Sequence, residues 1–343
     1  MNDTIGIGII GTGSIAGHHI KSIQELDNCH LVALASSSPE RAKLATKKFG
    51  LDTYSDYRQL VERTDIHMVI ICTHSGNHLG PTLAAAKAGK HVLVEKPLEV
   101  SLERADQMIA ACKAAGVKIG CIFQNRFSPD YRQLKEAVSS GVLGKLHLGN
   151  AYIKWYRSPE YYHSSNWKGT IKGDGGAALI NQGIHTIDLL LDIMGEVKSV
   201  FGKVTTVNHQ IEGEDLGVAL LSFKNGALGT IEGSTAITPG YPERLEIYGN
   251  LGSIILEGGK IRHWFSGEDQ LDAASKEADE ATGAADPMAI SHDLHKAQIN
   301  DFVEAILLNR EPLVTGEEGR KSLELILNIY ESSEKGVEVK FGK

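Results

Sequence analysis

Over the first third of the chain, short runs of wholly apolar residues alternate with longer stretches of helical spacing. Residues 4–10, 30–35, 68–72, 91–94 and 117–123 are apolar, rich in β-branched side chains and too short for helices, so they read as strands. Between them, 14–26, 40–49, 79–88 and 102–115 read as helices, the second of them stopped by Gly50. Strands that are apolar on both faces and separated by helices predict a parallel sheet covered on both sides.

The texture changes near Tyr131. Strand patterns at 146–154, 199–207, 216–223, 227–233, 244–248 and 253–257 follow one another closely, several of them joined by short turns. Lys224-Asn225-Gly226 and Gly258-Gly259 are hairpin signals. This predicts a mostly antiparallel open sheet with one apolar face, the other being free to pair with a second subunit. A single helix is predicted over 177–194. Ile180, Ile184, Ile187, Leu191 and Met194 form its apolar stripe, and Asn181, His185, Asp188 and Asp192 share the adjacent face. Taken alone, that polar stripe reads as a solvated face. Residues 268–285 are acidic and alanine-rich, a linker or a loop, and 292–308 and 317–332 read as closing helices. The fold class is therefore α/β: a Rossmann-like domain over 1–124 and an α+β domain over 125–343.

A chain of 343 residues, 42% hydrophobic and 23% charged, can bury two cores without staples. The net charge of -8 argues against a nucleic-acid binder, which needs a basic face. The four cysteines form no CxxC pair, and a reducing cytoplasmic setting is expected. Neither a leader-like segment nor an apolar run of about 20 residues is visible, so no membrane partner is expected.

The first strand runs into Gly11-Thr12-Gly13-Ser14-Ile15-Ala16, a GxGxxA sequence between strand and helix. Gly11 allows the tight turn, Gly13 allows backbone to approach a pyrophosphate, and Ala16 lets helix pack on strand. Phosphates suit the free amide groups of the helix start. At the end of the second strand stands Ser36-Ser37-Ser38-Pro39-Glu40-Arg41. Ser38 is an N-cap and Pro39 suits the first helical position. Ser36, Ser37 and Arg41 make a seat for a ribose 2′-phosphate, which favours NADP, with NAD the alternative. A plain cap beside a solvated arginine is the simpler reading.

Lys96 follows the carboxyl end of the 91–94 strand, where open α/β sheets place ligands, and Pro97 fixes the chain behind it. A lysine there can donate to a substrate oxygen, or it can simply reach water. His185 can exchange protons near neutral pH. Tyr152 begins an aromatic-rich stretch to Gly169 that suits either a sugar or domain packing. Among fourteen histidines, His18-His19 are adjacent and His292 and His295 share a helix face, but no third ligand at metal spacing is visible, so no catalytic metal is expected.

GTGSIA at 11–16, EKP at 95–97 and the downstream GGxLxNxGxH pattern together resemble the glucose–fructose oxidoreductase/inositol dehydrogenase/MocA (Gfo/Idh/MocA) family over essentially the whole chain. The resemblance implies that Lys96 contacts cofactor and substrate and supports proton transfer, with Glu95 beside it. It implies that the loop Thr73, His74, Asn77 and His78 lies on the cofactor, although members often carry proline where His74 stands. Gln124, Asn125 and Arg126 match the segment leaving the fifth strand, with Gln124 a cofactor contact. Trp167 and Lys168 stand where members carry a pair near the nicotinamide. His185 matches the family histidine, whereas Asn181 stands where many members have aspartate, and asparagine can orient a hydroxyl but not take its proton. Lys96 and His185 are thus expected to converge on one molecule beside the redox ring. The aromatic stretch resembles that of dehydrogenases acting on a UDP-linked amino-sugar uronate. Relatives are often homo-oligomers, dimers or tetramers.

The leading function is reversible hydride transfer between NAD(P) and a hydroxyl or ketone of a sugar, polyol or derivative. Two alternatives are an NAD-dependent glycosidase, which would release a leaving group with no net cofactor change, and a non-catalytic nucleotide sensor, which would tolerate loss of Lys96.

Overall fold

The computed structural model describes residues 4–267, 269–272 and 291–342. Two compact units emerge, one formed by Met1–Gln124 with Ser291–Arg320, the other by Asn125–Ile290 with Lys321–Lys343. The division after Gln124 thus recurs, but the segment Ser291–Arg320 returns to the first unit instead of continuing the second.

The first unit contains strands β1 (Ile5–Ile10), β2 (Cys29–Ala35), β3 (Thr53–Tyr54), β4 (Met68–Ile71), β5 (His91–Val94) and β6 (Ile119–Cys121). They form one sheet in the order β3-β2-β1-β4-β5-β6, and every pairing is parallel. Helices α1 (Ala16–Gln24), α2 (Pro39–Phe49), α3 (Tyr57–Val61), α4 (Leu79–Lys87) and α5 (Leu102–Ala115) connect them. All residues of β1 and β4 are buried, as a sheet covered on both faces requires. α2 starts as its sequence predicts, with the Ser38 hydroxyl accepting from the Arg41 amide and Pro39 in the first turn, and ends on Gly50 at φ 68°. Ile299, Phe302 and Val303 from the returning segment join the core of Ile7, Ile9, Leu34 and Ile70. Each such side chain contributes about 1.5–3 kcal/mol by leaving water.

The second unit contains helices α6 (Pro129–Ser139), α7 (Pro159–His163), α8 (Ile171–Asp174) and α9 (Ile184–Met194) and strands β7 (Leu146–Lys154), β8 (Val197–Thr205), β9 (Leu216–Phe223), β10 (Leu228–Ser234), β11 (Arg244–Gly249), β12 (Gly252–Glu257), β13 (Lys260–Ser266), β14 (Asp269–Asp272) and β15 (Val339–Lys340). The nine strands lie in the order β14-β13-β12-β11-β7-β10-β9-β8-β15. Only β7 and β10 pair in parallel. The Asn225-Gly226 signal marks the β9–β10 hairpin, with Gly226 at φ 90°. Gly149 of β7 packs against Leu190 and Met194 of α9, which covers one face of the sheet. On the other, Phe201, Val218, Leu220 and Leu228 are about half exposed. The acidic stretch at 268–285 lies outside the described residues, apart from the strand backbone of β14.

The two closing helices are α10 (Asp293–Leu307), which belongs to the first unit, and α11 (Gly316–Lys335). No helix among the described residues is long and apolar enough to cross a membrane. All four cysteines are buried and none is in a disulfide.

Candidate active site

In the first unit, the predicted residues gather at the carboxyl ends of adjacent parallel strands. Gly11 follows β1 at φ 109°, and a Cβ there would stand 2.5 Å from the Cys72 carbonyl oxygen, so only glycine fits. A Cβ on Gly13 would meet nothing within 4 Å, so no packing inside the protein requires that glycine. A pyrophosphate lying on the backbone there would supply a reason for it. Ser14 and Ile15 lead into α1, whose N-cap position, Ile15, offers no side-chain acceptor to the first amide groups. The Gly17 and His18 amides already bond to the Ser14 and Ile15 carbonyl oxygens, so an anion would meet the amides ahead of them and the positive end of the helix dipole. Ala16 is fully buried against the strand. These features fit a dinucleotide.

Thr12 Oγ1 lies 2.9 Å from Ser36 Oγ, which ties the glycine turn to the end of β2. Ser37 and Arg41 are exposed beside it. After β4, Thr73 Oγ1 donates to the Asn77 carbonyl oxygen across a 3₁₀ turn, Ser75–Asn77, with His74 and Asn77 exposed. His78 is fully buried instead. Its Nε2 faces the Thr73 carbonyl oxygen at 3.1 Å, and its Nδ1 faces those of Pro97 and Leu98 at 3.1 and 3.2 Å. The ring therefore braces the loop after β4 against the loop that carries Lys96.

Glu95 is likewise turned inward. Its Oε1 lies 2.6 Å from His19 Nε2 and its Oε2 accepts from the Lys96 amide at 3.2 Å. Burial raises the carboxyl pKa, but the hydrogen bond to His19 and the neighbouring charges, that of Lys96 among them, together outweigh it and hold the group at about 2. Lys96 itself is half-buried and joined to Pro97 by a cis peptide bond. Gln124 is 3% exposed, and its Oε1 has no hydrogen-bond partner among the described residues. It is a ready acceptor for a ligand amide.

In the second unit, the segment read as one helix over 177–194 begins instead as a π-helical turn, Ala178–Gly183, and becomes α-helical only at Ile184. The cause is Glu214. Its Oε2 accepts from the Ala177 amide at 3.1 Å, its Oε1 accepts from the Leu179 amide at 2.7 Å, and its own carbonyl oxygen takes the Ala178 amide. The Tyr330 hydroxyl donates to the same carboxylate at 2.9 Å. One buried side chain thus satisfies amides that an ordinary α-turn would leave open.

The polar stripe along this segment is not solvated. Arg126 makes a two-pronged ion pair with Asp188, at 2.7 and 2.8 Å, and reaches Asp192 at 3.3 Å. Arg126 and Asp188 are both buried, so each charge depends on the other.

Asn181 is held at both ends. Its Nδ2 donates to Asp174, and its Oδ1 accepts from Gln182 Nε2 at 2.9 Å. Asp174 also takes the Gly169 amide at 2.9 Å. A carboxylate, that of Asp174, therefore stands against the Asn181 amide. Gln182 Oε1 accepts from Arg157 at 2.7 and 3.1 Å, and Gln182 Nε2 donates to the Tyr161 hydroxyl. Lys168 Nζ lies 4.0 Å from the centre of the Tyr161 ring, with Arg157 5.7 Å from that centre. Burial lowers the Lys168 pKa and raises that of Tyr161 to about 12, so the phenol keeps its proton. Trp167 and His185 are half-buried in the same unit.

Sequence reasoning missed Asp174, Gln182, Arg157 and Glu214. The glycines around Asp174 signalled only a close passage of backbone, and Glu214 is more than thirty positions from the amides it binds.

The family model for the NAD-binding Rossmann fold of the GFO/IDH/MocA oxidoreductases matches residues 5–123. The model for the GFO/IDH/MocA C-terminal domain matches residues 131–255. The chain is 29% identical over 323 residues to the myo-inositol 2-dehydrogenase of Thermotoga maritima, covering 92% of each. It is 28% identical to the NADP(+)-dependent scyllo-inositol 2-dehydrogenase IolW of Bacillus subtilis, covering 83% of this chain and 76% of that one. Among solved structures, the WlbA dehydrogenase of Bordetella pertussis, in complex with NADH and UDP-GlcNAcA, aligns with a TM-score of 0.87 at 29% identity over 99% of both chains. The glycine turn on a parallel sheet, the antiparallel second sheet and these matches lead to one assignment: the chain belongs to the Gfo/Idh/MocA family of NAD(P)-dependent oxidoreductases.

Proposed function

We propose that the protein oxidises a hydroxyl of a sugar or sugar derivative, or reduces the matching ketone, with NADP(H) as its preferred partner. The observation that carries this reading is the shared sheet edge of the first unit. There the glycine turn, the uncapped start of α1 and Lys96 lie at the ends of strands β1 and β5, which flank β4. When bound, the nicotinamide gives or takes the hydride. Lys96 and His185 exchange the hydroxyl proton, and Asn181, clamped between Asp174 and Gln182, orients the substrate. Gln124 Oε1, Thr73, His74 and Asn77 serve the cofactor. For NADP(H), support comes from the Thr12–Ser36 hydroxyl pair and from Arg41 in the first turn of α2.

Arg157 and Lys168 flank the Tyr161 ring, two cations around an aromatic surface. That chemistry suits an anionic sugar, and a sugar-nucleotide uronate is the first substrate to try. The half-exposed apolar side chains on the open sheet face support a second copy of the chain as partner, which sedimentation will register.

The direct test follows reduced nicotinamide by absorbance across a panel of inositols, sugars and UDP-linked uronates with both cofactors. Turnover by the wild type is expected, and Lys96→Met should cut it about 10²–10⁴-fold. Release of a leaving group from a chromogenic glycoside without net cofactor change would favour a glycosidase. No turnover on any panel member, with tight nucleotide binding, would favour a sensor.

A further inference from the structure

The first unit holds a cluster of ligating side chains for which hydride transfer has no use. His19 on α1 is fully buried, and His295 on α10 is 4% exposed. Their rings stand edge to face with centroids 5.3 Å apart. One ligand-capable atom from each of His19, Glu95 and His295 lies within 4.8 Å of the other two. His295 Nδ1 meets no hydrogen-bond partner among the described residues, whereas His19 turns its Nε2 toward Glu95. A buried nitrogen in the state of His295 Nδ1 points to a water or an ion.

We propose that His19, Glu95 and His295 form a binding site for a borderline transition-metal ion such as Zn²⁺ or Co²⁺. Two imidazoles and one carboxylate are the protein ligands of many three-ligand zinc sites, with a fourth position for water. The nitrogen donors disfavour Mg²⁺ and Ca²⁺, which prefer all-oxygen shells. Without the ion, the His19–Glu95 hydrogen bond closes the cluster at 2.6 Å. Tetrahedral ligands on a zinc-sized ion stand about 3.3 Å apart, so the pair must part by well under an ångström to admit it. The other candidate group, Glu25 with His292 and Asp293, differs in kind. It is largely exposed, and Lys296 Nζ already bonds to Glu25 at 2.6 Å and to Asp293 at 3.3 Å. The sequence hides the buried site because its three ligands come from α1, the end of β5 and α10.

The site also touches the active-site loop, since the Lys96 amide donates to the same Glu95 carboxylate. The test nonetheless needs no turnover, so its failure is separable from failure of the dehydrogenase reading. The full-length protein, stripped with a chelator, is titrated with Co²⁺. The expected result is visible d–d absorption of a four-coordinate ion, saturating at one ion per chain, abolished by Zn²⁺ and unaffected by excess Mg²⁺. His295→Gln, and separately His19→Gln, should weaken binding at least tenfold while circular dichroism shows an intact fold. Absence of the bands in the wild type overturns the proposal. So does saturation at the same concentration in either folded variant. If both variants unfold, the wild-type titration together with retention of Zn²⁺ after gel filtration decides, and a metal-free eluate overturns it.

Discussion

α1 and the π-turn leading into α9 both begin where a glycine-rich loop ends, yet their first amide groups meet different partners. At α1 the N-cap side chain accepts nothing, and Gly13 faces open space. At Ala178–Gly183 the first amides are taken by a single buried carboxylate, that of Glu214. The first start has no side-chain cap, only the Gly17 and His18 amides turned back on the Ser14 and Ile15 carbonyl oxygens, and it suits a phosphate at the amides ahead of them. The second is closed and makes a fixed scaffold for Asn181 and, one turn on, His185. A binding edge keeps its donors available, whereas a positioning element satisfies them from within.

Changes at four positions probe this contrast. The largest effect is expected from Arg126→Ala, which strands the buried Asp188 carboxylate beside α9. Stability should fall by about 3–5 kcal/mol, read from urea unfolding. A loss below 1 kcal/mol would mean that the polar stripe is not what anchors the helix. Next comes Glu214→Ala, which leaves the Ala177 and Leu179 amides without their acceptor. A cost of about 2–4 kcal/mol is expected, together with loss of any His185-dependent turnover. Glu214→Gln retains an acceptor and should cost less.

Gly11→Ala tests the open start. Its positive φ and the approach to the Cys72 carbonyl oxygen predict a loss of about 1–3 kcal/mol. NADPH should no longer raise the melting temperature of this variant, though it does so for the wild type. The smallest effect concerns pH. Burial pushes the Asp192 pKa up, but the Arg126 charge and the Lys135 bond prevail and hold it below the usual carboxylate range. A depressed carboxyl pKa stabilises the fold above the unfolded value of about 3.9, and that contribution is lost as the pH falls below it. Asp192→Asn should therefore show a shallower loss of stability over this acidic window than the wild type.

Much of this molecule was legible because its signals are local. β1, β4 and β5 announce themselves as short apolar runs, and Ser38-Pro39 and Gly50 bracket α2 in two positions and one. Asn225-Gly226 marks its hairpin for the same reason. The glycine turn was legible too, since a strand that runs into GxGxxA and then a helix is a local pattern with few other uses. Elsewhere the local pattern misled. The spacing of Ile180, Ile184 and Ile187 is compatible with an α-helix throughout, and nothing nearby reveals that Glu214 widens its first turn. Asp188 and Asp192 look like a solvated stripe until Arg126 is brought against them. His78 and Glu95 sit in loops expected on the cofactor, yet their side chains turn inward to brace those loops.

Sequence alone determined the parallel and antiparallel sheets and the glycine turn, because these depend on periodicity and on backbone freedom within a few residues. Only the tertiary structure decided which charges are buried and paired, which amide groups remain open, and that Ser291–Arg320 returns to the first unit. Those outcomes depend on partners tens to hundreds of positions apart, and burial raises the energetic weight of such pairings beyond anything local propensity supplies.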